Sequence, residues 1–283
     1  LLGGALQTVG QTKPAAEWGK NEIWGRHMTP PLVMGYIFCL GLCIGSFLNV
    51  CIHRLPIGKS IMRPPSSCPT CGSMISWYDN IPVISWILLR GRCRGCNAPI
   101  SIRYPLVELL TGLLAVITAA HFGIQWSALI YFIFGVALIV ITFIDLDHRI
   151  IPDIISLPGI PVGFLASFLL PQISWAESLI GIVVGGGSLL AIAMGYQFIT
   201  GKEGMGGGDI KLLAMIGAFL GWKGVFFTIM ASSLTGTVVG IAAMLRAGKG
   251  MKMALPFGPF LALGALLFLF LGTPIINWYF NML

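Results

Sequence analysis

The chain has 283 residues, of which 56% are hydrophobic and only 10% charged. A soluble domain carries roughly a quarter of its residues charged, so the composition excludes a water-soluble enzyme; a single cleavable signal segment could not account for apolar stretches that recur to the end. The net charge of +7 follows from basic loops beside anionic membrane lipids and calls for no nucleic-acid partner.

Residues 1–27 are polar, show no periodicity and end at His27, next to Met28. They are expected to be a non-native tail ahead of a start at Met28, or else an exported tail, and they enter no functional argument. Beyond them, apolar runs bounded by Gly, Pro and charge predict eight spans: 32–52, 105–122, 126–144, 154–171, 177–200, 209–221, 224–245 and 257–280. The expected fold is an all-α polytopic membrane protein. Its units are a first membrane helix (28–53), a small module (54–104) and a bundle of the remaining spans (105–283). The sixth span is short for a crossing, so neighbours are expected to shelter its ends. Pro152, Pro158 and Pro161 are expected to interrupt the fourth and open a cleft at its base. Gly181/Gly185 and Gly236/Gly240, each four residues apart, read as close helix contacts.

Basic residues set the orientation. Arg54, Lys59, Arg63, Arg90, Arg92, Arg94 and Arg103 fall between spans one and two, and Arg149, Lys202, Lys211, Arg246, Lys249 and Lys252 fall in loops on the same side. That side is expected to be cytoplasmic, because lysine and arginine are retained there. Only Lys223 is left in the loops of the other side.

The module carries two CxxC pairs, Cys68/Cys71 and Cys93/Cys96, separated by 21 residues. Two residues between cysteines let one tight turn aim both sulfurs at one ion, and four thiolates leave no open coordination position, so the expected metal is structural zinc. Gly72, Gly91 and Gly95 are expected to supply the turns. Disulfides or a redox pair are the alternative, which a reducing cytoplasm disfavours. Cys39, Cys43 and Cys51 lie within the first span and read as small apolar residues.

Carboxylates are costly near lipid and usually serve a function. Asp145, Asp147 and Asp153 surround the end of the third span, and Asp209 follows the glycines of GMGGGDIK at the start of the sixth, on the same predicted side. Two carboxyls sharing a site cannot both ionise comfortably, so one keeps its proton; such a pair can activate water with one member and protonate a carbonyl oxygen with the other. The glycines, with no Cβ, are expected to admit an extended peptide and to take positive φ ahead of a helix starting at Asp209. The competing reading makes Asp209 a simple N-cap.

These residues carry a resemblance. GKEGMGGGDIKLLA, with Gly206-x-Gly208-Asp209, resembles the GxGD signature of membrane aspartyl proteases. IDLDHRIIPD, GSFLNVCIHRLP, the paired CxxC, RYPLVELLTG and PFGPFLALG are similar to segments of the type IV prepilin peptidases. The resemblance implies a bifunctional enzyme of the bacterial inner membrane. It would cut the basic leader from prepilins or type II secretion pseudopilins on the cytoplasmic side after glycine, then methylate the new N-terminus from S-adenosylmethionine. Carried over by position, it implies Asp145 and Asp209 as the catalytic pair and Gly206 and Gly208 as the supporting loop. Asp145 is preferred to Asp147 because it ends the apolar run, whereas two further residues turn a helix by roughly 200°. Glu203, Asp147 and Asp153 are expected to meet the basic leader.

No strand-borne GxGxxG is present to mark a methyl-donor site. Asn49, Arg54, Glu108 and the module are positional candidates for it, with a structural role for each equally open. Two other readings stand beside this one: a peptidase without methyl transfer, and a proton- or metal-coupled transporter, which predicts carboxylates near the bilayer midplane and inverted repeats.

Overall fold

The computed structural model describes residues 30–201, 206–247 and 256–280; the expected tail, Glu203, Gly204, Lys202, Lys249 and Lys252 lie outside them. Eight helices are described: α1 (Pro31–Arg54), α2 (Ile84–Leu88), α3 (Arg103–Phe122), α4 (Trp126–His148), α5 (Asp153–Ala166), α6 (Trp175–Thr200), α7 (Gly207–Ala247) and α8 (Gly258–Phe280), with two 3-10 turns in the module. Among the described residues there is no strand, only two isolated antiparallel bridges. Five helices are long and apolar enough to cross a membrane, and α5 and the start of α8 are shorter apolar helices. The protein is a multi-pass membrane protein.

Seven of the eight predicted spans fall on α1, α3, α4, α5, α6 and the two arms of α7, and the eighth on α8. The arms of α7, 207–220 and 222–247, join at Gly221, whose φ of 69° and ψ of −180° break the helix. Only glycine takes that backbone without strain, and the bend sits against Ile173 and the backbone of Glu177. Elsewhere the ends follow local chemistry. Ser174 and Glu177 form a reciprocal capping box at the start of α6, which satisfies two otherwise orphaned N–H groups. Arg149, in the left-handed conformation, closes α4 by donating its N–H to Asp145 O.

The first arm of α7 is the hub of the bundle. Leu212, Leu213, Met215, Ile216, Ala218 and Phe219 are all buried, and Phe134 of α4 stacks on Phe219 with ring centroids 4.5 Å apart. This answers how a span of so few residues is housed: protein, not lipid, surrounds it. Glycines let its neighbours in. A Cβ on Gly181 would fall onto the carbonyl oxygen of Gly217, one on Gly185 would lie 2.5 Å from Leu213 O, and Gly163 of α5 faces Phe219 at 2.7 Å. The Gly181/Gly185 pair is thus a helix contact, α6 on α7, further fixed by Ser178 Oγ donating to Ala218 O at 2.7 Å.

Pro158 and Pro161, expected to interrupt the fourth span, lie inside a continuous α5, which instead ends early at Ala166. The packing of Gly159 and Gly163 against Met215, Ala218 and Phe219 of α7 holds the helix despite the missing N–H groups.

Gly181→Val should lower unfolding free energy by about 1–3 kcal/mol through overpacking, whereas Gly187→Ala, which meets open space, should leave the thermal transition within a degree or two. Thermal unfolding of both variants in detergent checks the contrast.

Candidate active site

Three segments distant in sequence meet at one end of the bundle. The first is the end of α4. Asp145 is only 5% exposed there, and its Oδ2 accepts a hydrogen bond from the N–H of Gly258 at 2.9 Å. A buried carboxylate needs such a donor, and the N-terminus of α8 supplies an N–H that the helix itself leaves unused. The fit is close: a Cβ on Gly258 would lie 2.7 Å from the same oxygen.

The second is the start of α7. Asp209 lies in its first turn, half-buried, at the same end of the bundle as Asp145. Two contacts bring it there. Gly208 packs on Ile151, where a Cβ would stand 2.9 Å from the isoleucine Cβ, and Lys211 Nζ donates to both oxygens of Asp153 at 2.8 Å. Together they dock the first turn of α7 onto the link between α4 and α5.

The expectation about the glycines is corrected in part. The helix begins at Gly207, not Asp209, and neither Gly206, Gly207 nor Gly208 has a positive φ. Asp209 is therefore inside the first turn and is not the N-cap. The value of the glycines is steric. Gly208 admits Ile151, while Gly206 and Gly207 are exposed, with open space where a side chain would be. Their bare backbone can meet an extended chain closely.

Asp147 and Asp153, expected to meet a basic leader, are each paired within the protein: Asp147 with Arg103 and Asp153 with Lys211. Arg103 also donates to Phe143 O at 2.8 Å, lying with its guanidinium over the Phe143 ring. Asp147 thus turns toward the module while Asp145 turns into the bundle. Gly258 was missed from the sequence; its signal was the Pro256-Phe257-Gly258-Pro259 run at a helix start, where a glycine between prolines is out of place unless something needs the room.

The module holds the other cluster. The sulfurs of Cys68, Cys71, Cys93 and Cys96 lie within 4.8 Å of one another, and Cys68 Sγ and Cys96 Sγ are 3.8 Å apart. Zinc–sulfur bonds of about 2.3 Å in a tetrahedron place sulfurs about 3.8 Å apart, so the residues fit such an ion and can hold a metal. Each CxxC is a tight knuckle. Gly72 donates its N–H to Cys68 O and Asn97 to Cys93 O, both at 2.9 Å. The backbone amides of Cys71 and Thr70 hold the Cys68 thiol below its ordinary pKa, and those of Cys96 and Gly95 do so for Cys93. Ser73 does the same for Cys71. The N–H of Ala98 pulls Cys96 down, but desolvation and the three neighbouring sulfurs outweigh it and push this thiol up to about 12. One expected turn residue changes: Gly72 and Gly91 are left-handed, but the second knuckle uses Asn97 (φ 58°) in place of Gly95. Asparagine tolerates that region better than other residues with a Cβ.

The three candidates for methyl-donor contact are engaged internally. Asn49 Nδ2 donates to Tyr104 O at 3.1 Å, and Arg54 donates to Ser60 O and Pro64 O at 3.0 and 2.8 Å. Glu108, buried, accepts from the N–H of Val83 at 2.8 Å. Asn49 joins α1 to α3, and Arg54 and Glu108 fasten the module to these two helices.

A polytopic helical bundle that brings Asp145 and Asp209 to one end of its spans, with a four-cysteine module between its first two long helices, is the arrangement expected of a membrane peptidase that uses two aspartates. Comparison with known proteins specifies it further. Residues 39–122 match the bacterial peptidase A24 N-terminal domain, residues 132–241 match the type IV leader peptidase family, and the chain belongs to that family. It is 40% identical over 277 residues to a prepilin leader peptidase/N-methyltransferase of Aeromonas hydrophila, covering 89% of this chain and 96% of the relative. Proteins of the same description from Myxococcus xanthus (43% identical; 77% of this chain, 65% of the relative) and Pseudomonas aeruginosa (37%; 87% and 94%) are also similar. No solved structure matches the chain significantly.

Protein purified without chelator should carry one divalent ion per chain, measurable by elemental analysis. Cys93→Ser should reduce that stoichiometry at least tenfold, because three thiolates with one hydroxyl no longer close the site.

Proposed function

We propose that this chain is a prepilin leader peptidase and N-methyltransferase, with Asp145 and Asp209 as the peptidase dyad. The observation that carries the reading is the docking of the first turn of α7, with Asp209, onto the α4–α5 link just beyond Asp145, at one mouth of the bundle. The substrate is a prepilin or pseudopilin whose apolar helix lies in the same membrane and whose leader reaches the dyad at the lipid boundary. The exposed backbone of Gly206 and Gly207 runs beside the scissile segment.

In the reaction one aspartate, ionised, takes a proton from water as the oxygen attacks the carbonyl carbon; the other, protonated, gives its proton to the carbonyl oxygen. The tetrahedral adduct then collapses: the C–N bond breaks, the proton held by the first aspartate passes to the leaving amine, and a hydroxyl of the adduct returns its proton to the second aspartate as the carbonyl re-forms. Gly258 N–H, fixed on Asp145 Oδ2, orients one oxygen of the dyad and leaves the other to face water. The dyad belongs to the peptidase bundle, residues 105–283, and the basic loops favour the cytoplasmic side of the inner membrane for it, among anionic lipids and with no nucleic acid involved.

The four-cysteine module, residues 54–104, holds structural zinc and is the part associated with methyl transfer. S-adenosylmethionine is the donor that the relatives' N-methyltransferase description implies. Asn49, Arg54 and Glu108 each make hydrogen bonds within the protein, and no step is assigned to them. A transporter reading loses ground because Asp145 and Asp209 sit at helix ends and not at midspan.

Asp145→Asn and Asp209→Asn should each abolish leader removal from a purified prepilin, followed by mass, while methylation of an already cleaved pilin continues. Cleavage surviving in either variant sinks the dyad. Gly258→Ala should lower the cleavage rate on the order of a hundredfold, since a methyl in contact with Oδ2 shifts the carboxylate by an ångström or so; unchanged kcat would mean that Gly258 does not orient Asp145.

A further inference from the structure

In the module, the residues that α2 buries and those it exposes separate by face. Ser85 is buried, donating to Tyr78 O at 2.9 Å and accepting from the N–H of Ile81 at 3.0 Å. Trp86 donates from Nε1 to Ile100 O at 3.1 Å and covers Gly91. Ile84, Ile87 and Leu88 point the other way and are 54%, 61% and 76% exposed. Their spacing of three and four residues puts them on one helix face.

The backbone shows that this placement is held. Val83 has φ 61°, a conformation that a β-branched residue keeps only where its surroundings impose it. The buried Glu108 imposes it by accepting the Val83 N–H at 2.8 Å. Glu108 also sets the depth. It lies five residues into α3, about 7–8 Å along the axis from the start, where α1 and α3 touch so closely that a Cβ on Gly45 would stand 2.6 Å from Glu108 Cα. The beginning of α2 is therefore level with the first turns of a membrane-crossing helix. Beside it, α3 has an exposed apolar stripe of its own, Leu106, Leu109 and Leu113.

Arginines follow at once. Arg90, Arg92 and Arg94, with Leu89, Cys93 and Asn97, line a recess of about 500 Å³. Arg94 is satisfied by Asp79, whose carboxyl it holds below the usual range. Arg90 and Arg92 have no acidic partner among the described residues. An apolar face at bilayer depth, followed by uncompensated arginines, has the chemistry of a segment resting in an anionic lipid interface.

We propose that α2 is immersed at the edge of the bilayer that the protein spans, with Ile84, Ile87 and Leu88 among acyl chains, and that Arg90 and Arg92 bind the phosphate of an anionic phospholipid. The module is then anchored twice, by hydrogen bonds to α1 and α3 and by lipid. The occupant is chosen by charge complementarity and by the depth at which Glu108 holds the start of α2. Neither depends on the peptidase reading.

Two measurements on the full chain in nanodiscs and detergent decide it. The emission added by Leu88→Trp should be quenched by phosphatidylcholine brominated on its acyl chains and shielded from aqueous iodide; the reverse pattern overturns the immersion. Phosphatidylglycerol should bind the detergent-solubilised protein more tightly than phosphatidylcholine, and Arg90→Gln and Arg92→Gln should each weaken it roughly fivefold. Equal affinity for the two lipids, or no change in both variants, overturns the phosphate site. Competition by soluble glycerophosphate as strong as by the lipid would make it a free-phosphate site and defeat the lipid assignment. Should a glutamine variant lose its metal and misfold, the unaltered protein decides: its phosphatidylglycerol binding weakens steeply with added salt, or the assignment fails.

Discussion

A carboxylate buried at the end of an apolar helix must find a donor or carry the cost of lost solvation. Asp145 finds one in Gly258, 113 residues away, and that single N–H···O bond joins the end of α4 to the beginning of α8. The rest of the site is arranged around it. Once α4 and α8 are joined at this level, the α4–α5 link is carried to where Ile151 can receive Gly208 and Asp153 can receive Lys211. These contacts fix the first turn of α7 and with it Asp209. The dyad is thus the product of one hydrogen bond, one close backbone packing and one ion pair, each between segments with no sequence proximity.

The hub helix makes such an arrangement stiff. Residues 212–220 of α7 are buried on nearly every side, and the glycines of α5 and α6 allow approaches that no side chain would permit. In lipid there is no hydrophobic drive to bring apolar helices together, so close packing and interhelical hydrogen bonds carry the association; the Ser178 to Ala218 bond belongs to the same economy. A helix enclosed in this way moves little, and Asp209 at its tip inherits that restraint.

Much of this was legible in the chain, and what was not has a physical reason. Apolar run length reports spans directly, since the bilayer imposes it, and the division between the runs 209–221 and 224–245 fell beside the bend at Gly221. CxxC spacing reports a metal cluster because the turn geometry is local. Asn97 was overlooked because an asparagine after a cysteine pair looks ordinary until its φ is known. Gly258 and the Val83–Glu108 bond were illegible for a different reason: each is a contact across 25 residues or more, and nothing in periodicity or composition encodes which backbone N–H a buried carboxylate selects. Pro158 and Pro161 misled because helix breaking by proline is a local rule, whereas the packing of α5 on α7 is tertiary.

The two halves of the molecule touch at α4 and do so on opposite faces. Arg103 grips Asp147 and the carbonyl of Phe143 from the module side, while Gly258 holds Asp145 from the bundle side. Two residues on a helix are separated by roughly 200°, so these holds do not compete for the same space and neither is needed to form the other. The two aspartates of this short stretch of α4 are thus held independently, because the helix itself separates the ion pair of Asp147 from the hydrogen bond of Asp145.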